Sequence, residues 1–499
     1  MRFTKKKLSA AVIAGIGAAA ITGGQQAVAQ NGNVMSLADE GVGQVLIYPY
    51  YTVREDADGN AFNTYVSITN TTDSVKFVKV RFREGLNSHE VLDFQLFLSP
   101  FDMWTGALVR TANGAQVISR DESCTVPDIP VSGVELRTST FDELAEDPIG
   151  GGGPVASLKD RTREGYVEVF EMATLTSGTS DVVHAAQDGD PLDCSAVQSL
   201  NPTAGMTEAA PSGGLYGTGT MINVDTGVSY PYDAVAIKNF SDGEIIGGLG
   251  TQLPNLGSGN RQALVFADTQ QDADDIPEAV LTQYSGPRAG VNAVSALFMH
   301  DTVSNDFILD PTTESRTEWV LTHPTKNAYV NSAPPVPPFS DTFTAIAQGA
   351  SNDGACEPVN LSVWNREEEQ ITGGVDFSPQ EEEVSSICWE TNVVAFDEGA
   401  VPSSLFGSKL MKNVPTNFDN GWMRLEFIGD NATNVGLREQ GQPAETYFGL
   451  PVTGFMAQDY FNGRLSVGGG PRVLSTYGNT FEHKLGRDIR SGQESGGPQ

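Results

Sequence analysis

The sequence is poor in the residue types that most catalytic and metal sites use. Its 499 residues include four cysteines and five histidines, and 30 basic side chains stand against 63 acidic ones. The cysteines form no CxxC pair, which excludes a zinc ribbon and a thioredoxin-type redox site. No histidines stand in HExxH spacing, which excludes a zincin-type metalloprotease. The net charge of −33 disfavours nucleic acids and anionic lipid surfaces as partners, because both attract cationic proteins.

Other catalytic signatures are missing as well. The chain has no GxSxG nucleophile elbow and no GxxxxGK[ST] phosphate loop, and its 54 glycines fall in turns. Its 63 acidic residues make chance carboxylate pairs so frequent that no pair for glycoside hydrolysis can be nominated. Glu318 beside Trp319 is the nearest approach to an acid next to a sugar platform, and a strand with an inward-facing tryptophan explains it equally well. We therefore predict a protein that is not an enzyme and has no cofactor other than a possible calcium ion.

One apolar run stands out, at the N-terminus. Basic residues, Arg2 and Lys5 to Lys7, precede the apolar stretch Leu8 to Ile21, and Ala27-Val28-Ala29 gives a small-x-small pattern. This arrangement is typical of a secretory signal cleaved near Ala29. A retained membrane anchor would need about 20 unbroken apolar residues. We predict a secreted or cell-surface protein whose mature chain has no transmembrane segment.

In an exported chain an even number of cysteines indicates disulfides. The four residues, Cys124, Cys194, Cys356 and Cys388, allow three connectivities, and we favour the sequential one. Each bond would close a loop worth about 4 kcal/mol in the chain-entropy description.

The remaining pattern predicts a mainly β protein. In "NTYVSITNTTDSVKFVKVRF" (63–82), Val66 and Ile68 alternate with polar residues, and Val78, Val80 and Phe82 do the same after a polar turn. Regularly spaced runs of this kind favour antiparallel β-sandwich-type domains with few short helices. We expect Pro49, in "VLIYPYYTV", to lie at an edge or a break in a strand, because proline cannot donate to a β-ladder.

Two helices are predicted. "DDIPEAVLTQY" has Asp275 as its N-cap and Glu278 three residues later, which is a capping-box arrangement. "GVNAVSALFMHD" is the second candidate.

The domain prediction rests on glycine and proline. Residues 30–330 form an N-terminal and middle β-rich region, and a flexible loop at 146–157 leaves open whether this is one intertwined unit. A Pro-rich spacer at 331–340 precedes a C-terminal β-rich region at 341–485. Residues 486–499 are predicted to be a disordered tail.

One weak metal candidate remains. Asp56, Asp58 and Asn60 supply hard oxygens at alternate positions, as calcium requires. A complete EF-hand loop would have glycine at position six and glutamate at position twelve, where Ala61 and Ser67 stand. A polar hairpin tip explains the three residues better.

Several segments carry a family resemblance: "VLIYPYYTV", "TYVSITNT", "REGYVEVFEM", "TEWVLTHPTKNAYV", "CWETNVVAF", "GWMRLEF" and "LSTYGNTFEHK". The chain resembles, over roughly residues 41 to 487, a group of large exported proteins of Gram-negative bacteria described as cell-surface or hypothetical secreted proteins. The resemblance implies β-rich surface material and carries over no catalytic residue.

Three functions follow as predictions. The leading one is a non-catalytic secreted or cell-surface structural protein, an S-layer-like coat or matrix component that associates with itself or with other envelope components. The alternative is an extracellular glycan- or ligand-binding protein with Tyr48, Tyr50, Tyr51 and the tryptophans as stacking faces, although core packing explains these aromatics too. The third is an extracellular hydrolase, which would need two carboxyls about 5–10 Å apart in a cleft.

Overall fold

Antiparallel strands make up most of the chain, which confirms the predicted fold class. The computed structural model describes residues 34–138, 157–184, 189–267, 277–331, 334–343, 354–372, 385–396, 402–428, 436–438, 445–466 and 472–491. Every named strand pair in this part of the chain is antiparallel except that of Thr391–Ala395 with Met411–Asn413, which is parallel.

The strands of the first part are β1 (Ser36–Leu37), β2 (Val45–Thr52), β3 (Phe62–Asn70), β4 (Val75–Glu84), β5 (Glu90–Leu98), β6 (Met103–Thr111), β7 (Gly114–Ile118), β8 (Thr125–Val126), β9 (Val134–Glu135), β10 (Glu164–Ser177), β11 (Thr207–Ala209), β12 (Leu215–Asn223), β13 (Val228–Asp233), β14 (Val235–Lys238), β15 (Gln262–Ala267) and β16 (Glu278–Gln283). Among them lie helix α1 (Leu158–Arg161) and a 3₁₀ turn (Cys194–Val197).

The strands of the second part are β17 (Met299–His300), β18 (Thr302–Ile308), β19 (Arg316–Thr322), β20 (Glu357–Asn365), β21 (Gln370–Thr372), β22 (Ser386–Ile387), β23 (Thr391–Ala395), β24 (Met411–Asn413), β25 (Asn420–Phe427), β26 (Leu437–Arg438), β27 (Glu445–Tyr447), β28 (Leu450–Pro451), β29 (Thr453–Ser466), β30 (Arg472–Glu482), β31 (Lys484–Gly486) and β32 (Ile489–Ser491). Helices α2 (Ala289–Phe298) and α3 (Asn327–Val330) belong to the same part.

Two large sheets pack face to face as a β-sandwich. One has the order β1-β14-β2-β10-β4-β5-β8, with β11 beside β10, and the other has the order β13-β12-β3-β6-β7-β9. Their facing side chains, which include Tyr48, Phe82 and Trp104, form one apolar cluster. Alternate residues of each strand point to this shared core because the side-chain period of a strand is two.

A five-stranded sheet, β24-β23-β19-β29-β30, has apolar side chains buried on both of its faces. Val320 and Phe455 join the core of the sandwich, whereas Trp319 and Met456 join a second core. The second core is completed by the sheet β21-β20-β25-β18-β31, with β22 beside β20. The five-stranded sheet therefore belongs to both cores at once.

Strands β3 and β4 form as predicted but do not pair with each other. β3 pairs with β12 and β6, whereas β4 pairs with β10 and β5 in the opposite sheet. The polar turn between them thus crosses from one layer of the sandwich to the other. Alternation identifies the buried face of a strand but not its partner.

Pro49 lies at a break, as predicted. Tyr48 stands opposite Val167 and Tyr51 opposite Gly165, so β2 carries one more residue than β10 between these pairs. Pairing with β14 is confined to Val45–Ile47. The bulge accommodates a residue that has no N–H to donate.

One of the two helix predictions is confirmed and the other is wrong. Helix α2 forms within the predicted "GVNAVSALFMHD". The described part of the other segment is strand β16, paired with β15, while its proposed cap Asp275 lies outside the described residues. Val280 and Thr282 are buried and Ala279 is exposed, so a period of two prevails over the capping-box pattern.

The Pro-rich segment 331–340 does not separate two units, so the boundary predicted there is wrong. Strand β18, before the segment, pairs with β25 after it, and β19 pairs with β23 and β29. Phe339, within the segment, is buried in the second core. The described residues from 34 onward accordingly form one compact unit. Most of the loop predicted at 146–157 lies outside the described residues.

The tail predicted from residue 486 begins too early. β32 pairs with β27, and Ile489 is fully buried. The Arg487 guanidinium donates to the carbonyl oxygens of Ala296 and Met299, at 3.0 Å each. A cation at the C-terminal end of α2 satisfies carbonyls that lack an intrahelical donor. Residues 492–499 lie outside the described part of the chain.

Both disulfides form in the predicted sequential pairing. Cys124 bonds to Cys194 with a Cα–Cα distance of 5.2 Å, and Cys356 bonds to Cys388 with one of 4.0 Å. Across the residues described above, no helix has the length and apolar character needed to cross a bilayer.

Candidate functional site

Charged side chains form a buried cluster on the side of the eight-stranded sheet that faces away from the sandwich core. Glu168 on β10 lies 2.7 Å from the Arg83 guanidinium and 3.7 Å from that of Arg81, both on β4. Burial of Arg83 acts to lower its pKa, but the neighbouring Glu168 carboxylate keeps the pKa of Arg83 above its usual value. Arg81 also donates to the Pro254 carbonyl oxygen at 2.6 Å, so a loop covers the charges. These groups hold strands together and are shielded from solutes.

A second buried ionic cluster joins distant parts of the chain. Arg54 contacts the Glu164 carboxylate and lies 3.0 Å from Asp160. The Ser408 hydroxyl donates to Glu164 at 2.6 Å, and the Lys409 ammonium lies 2.8 Å from Asp160. The cluster therefore connects β10, in the β-sandwich, to the segment that precedes β24.

A cavity of about 330 Å³ opens beside the second core. It is bounded by the starts of β18 and β20, the end of β25, and the segments around β28 and β32. Its lining includes four carboxyls and one guanidinium, which belong to Asp301, Glu357, Glu426, Asp488 and Arg490. This is the place in the described structure to look for the paired carboxylates of a hydrolase.

Three of these carboxyls already have strong partners. Glu357 accepts from the Ser340 hydroxyl at 2.6 Å and from the Ser340 backbone N–H at 2.8 Å. Glu426 lies 2.8 Å from Arg424. Asp488 lies 2.5 Å from Arg490, whose guanidinium stands 4.5 Å from the Phe448 ring centroid. The partners hold the carboxyls as structural links.

Asp301 differs from the other three acids. Burial raises its pKa, and the nearby charges of Asp488 and Glu426 raise it further. Its Oδ1 atom is buried without a hydrogen-bond partner among the described residues. The cavity thus offers two carboxyls of raised pKa, because burial raises the pKa of Glu357 as well as that of Asp301. Acid–base hydrolysis of a glycoside also needs a carboxylate that is free to act as base or nucleophile.

Ser123, His184 and Asp102 lie together near the first disulfide. The His184 Nε2 atom is 3.5 Å from the Ser123 hydroxyl and 3.4 Å from an Asp102 carboxylate oxygen. A nucleophilic triad needs the serine and the carboxylate on opposite ring nitrogens. Here both approach the same nitrogen, and Nδ1 faces the Gly189 carbonyl. The arrangement lacks the geometry of a triad.

Three of the other histidines are buried in the cores. Burial lowers the pKa of His323 to about 3 and that of His483 to about 4, and it lowers that of His300 as well. The His483 ring is bracketed by Asn305 and the Val320 carbonyl. These side chains are neutral packing elements at ordinary pH. The backbone N–H of His89 donates to Glu84 at 3.0 Å.

The calcium candidate is the polar tip of the β2–β3 connection. The Asp56 Oδ1 atom accepts from the backbone N–H groups of Asp58 and Asn60, at 3.0 and 2.9 Å. Its Oδ2 atom accepts from the Asn223 amide at 3.1 Å. Donors therefore occupy both Asp56 oxygens, while Asp58 is exposed. Among the residues whose positions are described, no three His, Cys, Asp or Glu side chains are grouped to hold a metal ion.

Replacing Asp56 with alanine is expected to lower the free energy of unfolding by about 1–3 kcal/mol, because several donors lose their acceptor. Asp58→Ala, at an exposed position of the same turn, should change it by less than about 0.5 kcal/mol. Calcium should leave the thermal midpoint of the wild type unchanged. Thermal unfolding monitored by circular dichroism measures all three, and a midpoint that rises with calcium in the wild type but not in Asp56→Ala would restore the calcium hypothesis.

The aromatic residues proposed as stacking faces are mostly internal. Tyr48, Tyr50 and Tyr51 are fully buried. Trp319 is buried in the second core, as the inward-facing alternative predicts. Its neighbour Glu318 is buried too and accepts from the Leu405 backbone N–H at 2.7 Å. None of these rings has a face that a sugar could reach.

Trp364 and Trp422 form a cross-strand pair nearer the surface. Their ring centroids lie 4.1 Å apart with an interplanar angle of 12°, and Trp422 is 39% exposed. The Arg424 guanidinium stands 6.0 Å from the Trp364 centroid. Trp364 is therefore covered by its partner and flanked by a cation, so Trp422 has the more accessible ring of this pair.

Over strands β13, β12, β3 and β6 the outward face of the six-stranded sheet carries a single charged side chain, whereas β9 at the far edge carries Glu135. Its strands align four cross-strand rows: Tyr216–Thr69–Met103, Asp233–Thr218–Ser67–Thr105, Pro231–Thr220–Tyr65–Ala107 and Ser229–Ile222–Asn63. Only Asp233, on the outer strand β13, is ionisable at neutral pH. We call the other thirteen residues the neutral face. Sequence analysis predicted β3 among these strands but neither β12 nor the face, which exists only once the register of four strands is known.

No protein-family model, curated protein or solved structure significantly matches this chain.

Proposed function

We propose that the protein is an exported, non-catalytic structural protein of the cell surface, either a coat or a matrix component. The main observation behind the proposal is that the buried charged side chains pair with one another inside the protein. Neighbouring strands and distant segments of the chain are connected by the buried ion pairs Arg83–Glu168 and Arg54–Glu164. Such closed ionic clusters fix the relative positions of sheets and leave no reactive group exposed to solutes.

Further features support the same role. Two disulfides and a sheet buried on both faces give a rigid body. The net charge of −33 favours solubility and makes basic or divalent cations natural bridging partners outside the cell. The resemblance to exported surface proteins of Gram-negative bacteria agrees with this proposal.

Glycan binding is the second candidate, favoured by the accessible ring face of Trp422. A tryptophan face stacks on the apolar face of a sugar, and polar neighbours such as Arg424 and Glu426 could bond its hydroxyls. A glycan array probed with the wild type and with Trp422→Ala tests this role: a hit lost in the variant would favour it over a purely structural one.

The experiment that tests the structural role uses the mature chain, residues 30–499. We expect sedimentation velocity to show oligomers that grow with protein concentration, and electron microscopy to show ordered arrays or an envelope layer that disappears when the protein is removed. Both measurements are made with and without calcium. A chain that stays monomeric at high concentration in both conditions would contradict the proposal.

A further inference from the structure

We propose that the neutral face is the surface through which one copy of this chain docks onto another. The inference rests on the proposed structural function and names the partner for one surface. It is argued from the composition of the face, the charge of the whole chain, the state of the sheet edges and the area available.

The composition of the neutral face is that of an interface. Charged residues make up 19% of the chain, so the fourteen positions of the four rows would ordinarily hold two or three, and they hold one, Asp233 on the outer strand. Tyr65 and Met103 are each 50% exposed and Tyr216 is 38% exposed. Depletion of charge together with exposed tyrosine and methionine marks the centres of protein interfaces.

The side chains are also suited to docking because they are stiff. Threonine and isoleucine are restricted at χ1, and serine and proline have little freedom to lose. Ser67 and Thr218 are bonded to each other through their hydroxyls at 2.9 Å. Ordering such a surface against a partner costs less conformational entropy than ordering lysine or glutamate side chains.

The charge of the chain favours a second copy as the occupant. Two molecules that each carry −33 repel wherever their carboxylates approach, so they can meet closely only through surfaces that lack them. A cationic partner would choose a carboxylate-rich surface instead. The neutral face therefore fits an overall acidic partner with a neutral contact surface, and the same face of another copy has both properties.

The two edge strands of the six-stranded sheet are poorly suited to pairing with another molecule, so association would use the neutral face. Beyond β13, Gly478 of β30 lies against the Ser229 carbonyl, and the Thr480 hydroxyl donates to the Pro231 carbonyl. At the other edge, β9 is only two residues long. Strand addition at either edge is therefore disfavoured, and two copies would meet face to face in a self-complementary contact.

The area suits a weak, repeatable contact. Four strands spaced by about 4.8 Å and rising about 3.3 Å per residue present on the order of 500 Å² in projection. Two such faces bury on the order of 1,000 Å², near the lower limit for a specific interface. Contacts of this strength suit an assembly in which each molecule has several neighbours.

The test places two carboxylates on the face, one on β3 and one on β6, the strand at the border of the face. Tyr65→Glu/Thr105→Glu is compared with the uncharged control Tyr65→Gln/Thr105→Gln, and sedimentation equilibrium of the mature chain gives the self-association constant. We expect the Glu variant to associate at least 10-fold more weakly than the Gln variant at low salt. High salt should recover much of this loss, because it screens repulsion between the introduced carboxylates. Misfolding would not respond to salt in this way, and circular dichroism checks the fold of both variants.

The outcomes separate the inference from the proposed function. Equal association of the Glu and Gln variants, with the wild type still assembling, overturns the inference and leaves the structural role standing. A wild type that stays monomeric overturns both. Binding of a neutral polysaccharide by a monomeric wild type, abolished in the Glu variant, would assign the face to a glycan and also overturns the inference.

Discussion

Replacing Glu390 with glutamine should stabilise the protein at alkaline pH by on the order of 4 kcal/mol. Glu390 is fully buried, and neither carboxylate oxygen has a hydrogen-bond partner of normal geometry among the described residues. Burial raises its pKa from 4.5 to about 8, and Lys326 and Ser88 offset this only in part. A glutamine in the same place is neutral at every pH and does not carry the cost of a buried charge.

The pH dependence has a definite sign. Below pH 4.5 the Glu390 carboxyl is protonated in both the folded and the unfolded chain, and the two proteins should differ little. Between pH 4.5 and about 8 the folded state keeps a proton that the unfolded state releases, so this group lowers stability as pH rises, by roughly 1.4 kcal/mol per pH unit. The advantage of Glu390→Gln should grow across this window and level off above it.

Guanidinium unfolding of both proteins at pH 5, 7 and 9 measures this difference. The exposed Glu367 supplies a matched control, because Glu367→Gln changes a side chain that is solvated in both states and should alter neither the midpoint nor its pH dependence. If the curves of the wild type and Glu390→Gln remain parallel from pH 5 to pH 9, then Glu390 titrates normally in the folded protein and the account of its burial is incorrect.

Replacing Glu164 with alanine is expected to destabilise the protein by about 3–5 kcal/mol, because the buried Arg54 guanidinium loses one of its two carboxylate partners and two buried hydroxyls lose their acceptor. Glu164 contacts Arg54 and accepts from the hydroxyls of Tyr50 at 3.0 Å and Ser408 at 2.6 Å. The Arg54 and Glu164 side chains are 4% and 1% exposed, so water cannot take over these bonds without opening the core.

Two companion variants separate the charge from the packing. Glu367→Ala removes one member of an exposed ion pair, 3.8 Å from Arg366, and should cost less than about 0.5 kcal/mol. Arg54→Met/Glu164→Leu removes both charges and should be less destabilised than Glu164→Ala, because the buried guanidinium is removed together with its carboxylate. Denaturant midpoints rank the four proteins. If Glu164→Ala lowers the free energy of unfolding no more than Glu367→Ala does, the buried ionic cluster does not contribute to stability.

The sequence predicts strand β4 but not its surroundings. Its alternation of Val78, Val80 and Phe82 with Lys79 and Arg81 indicates one buried and one solvated face, yet both faces are buried. The charges on the second face are neutralised by partners such as Glu168, 87 residues after Arg81 in the chain and adjacent only through the pairing of β4 with β10. Local periodicity contains no information about a partner so far away.

The candidate sites show the same limit. The even number of cysteines indicated disulfides and the sequential pairing was favoured among three, and the polar character of Asp56 to Asn60 was visible in the sequence. The cavity beside Asp301 combines segments from residue 301 to residue 490, and the neutral face combines four strands between residues 63 and 231. In β3 and β12 the outward positions are uncharged in the sequence itself, which is a usable signal once a register is available.

The five-stranded sheet also constrains the order in which the chain can fold during synthesis. Strand β2 is sealed by β19, whose Thr322 hydroxyl donates to the Pro49 carbonyl at 2.6 Å across 273 residues of sequence. Because a protein is synthesised from its N-terminus, β2 cannot pack against β19 until more than half of the chain has been made. Folding is consequently late and dominated by non-local pairing, which makes it slow. A fragment that stops before residue 316 should be retained by chaperones or aggregate, and not accumulate as a folded half.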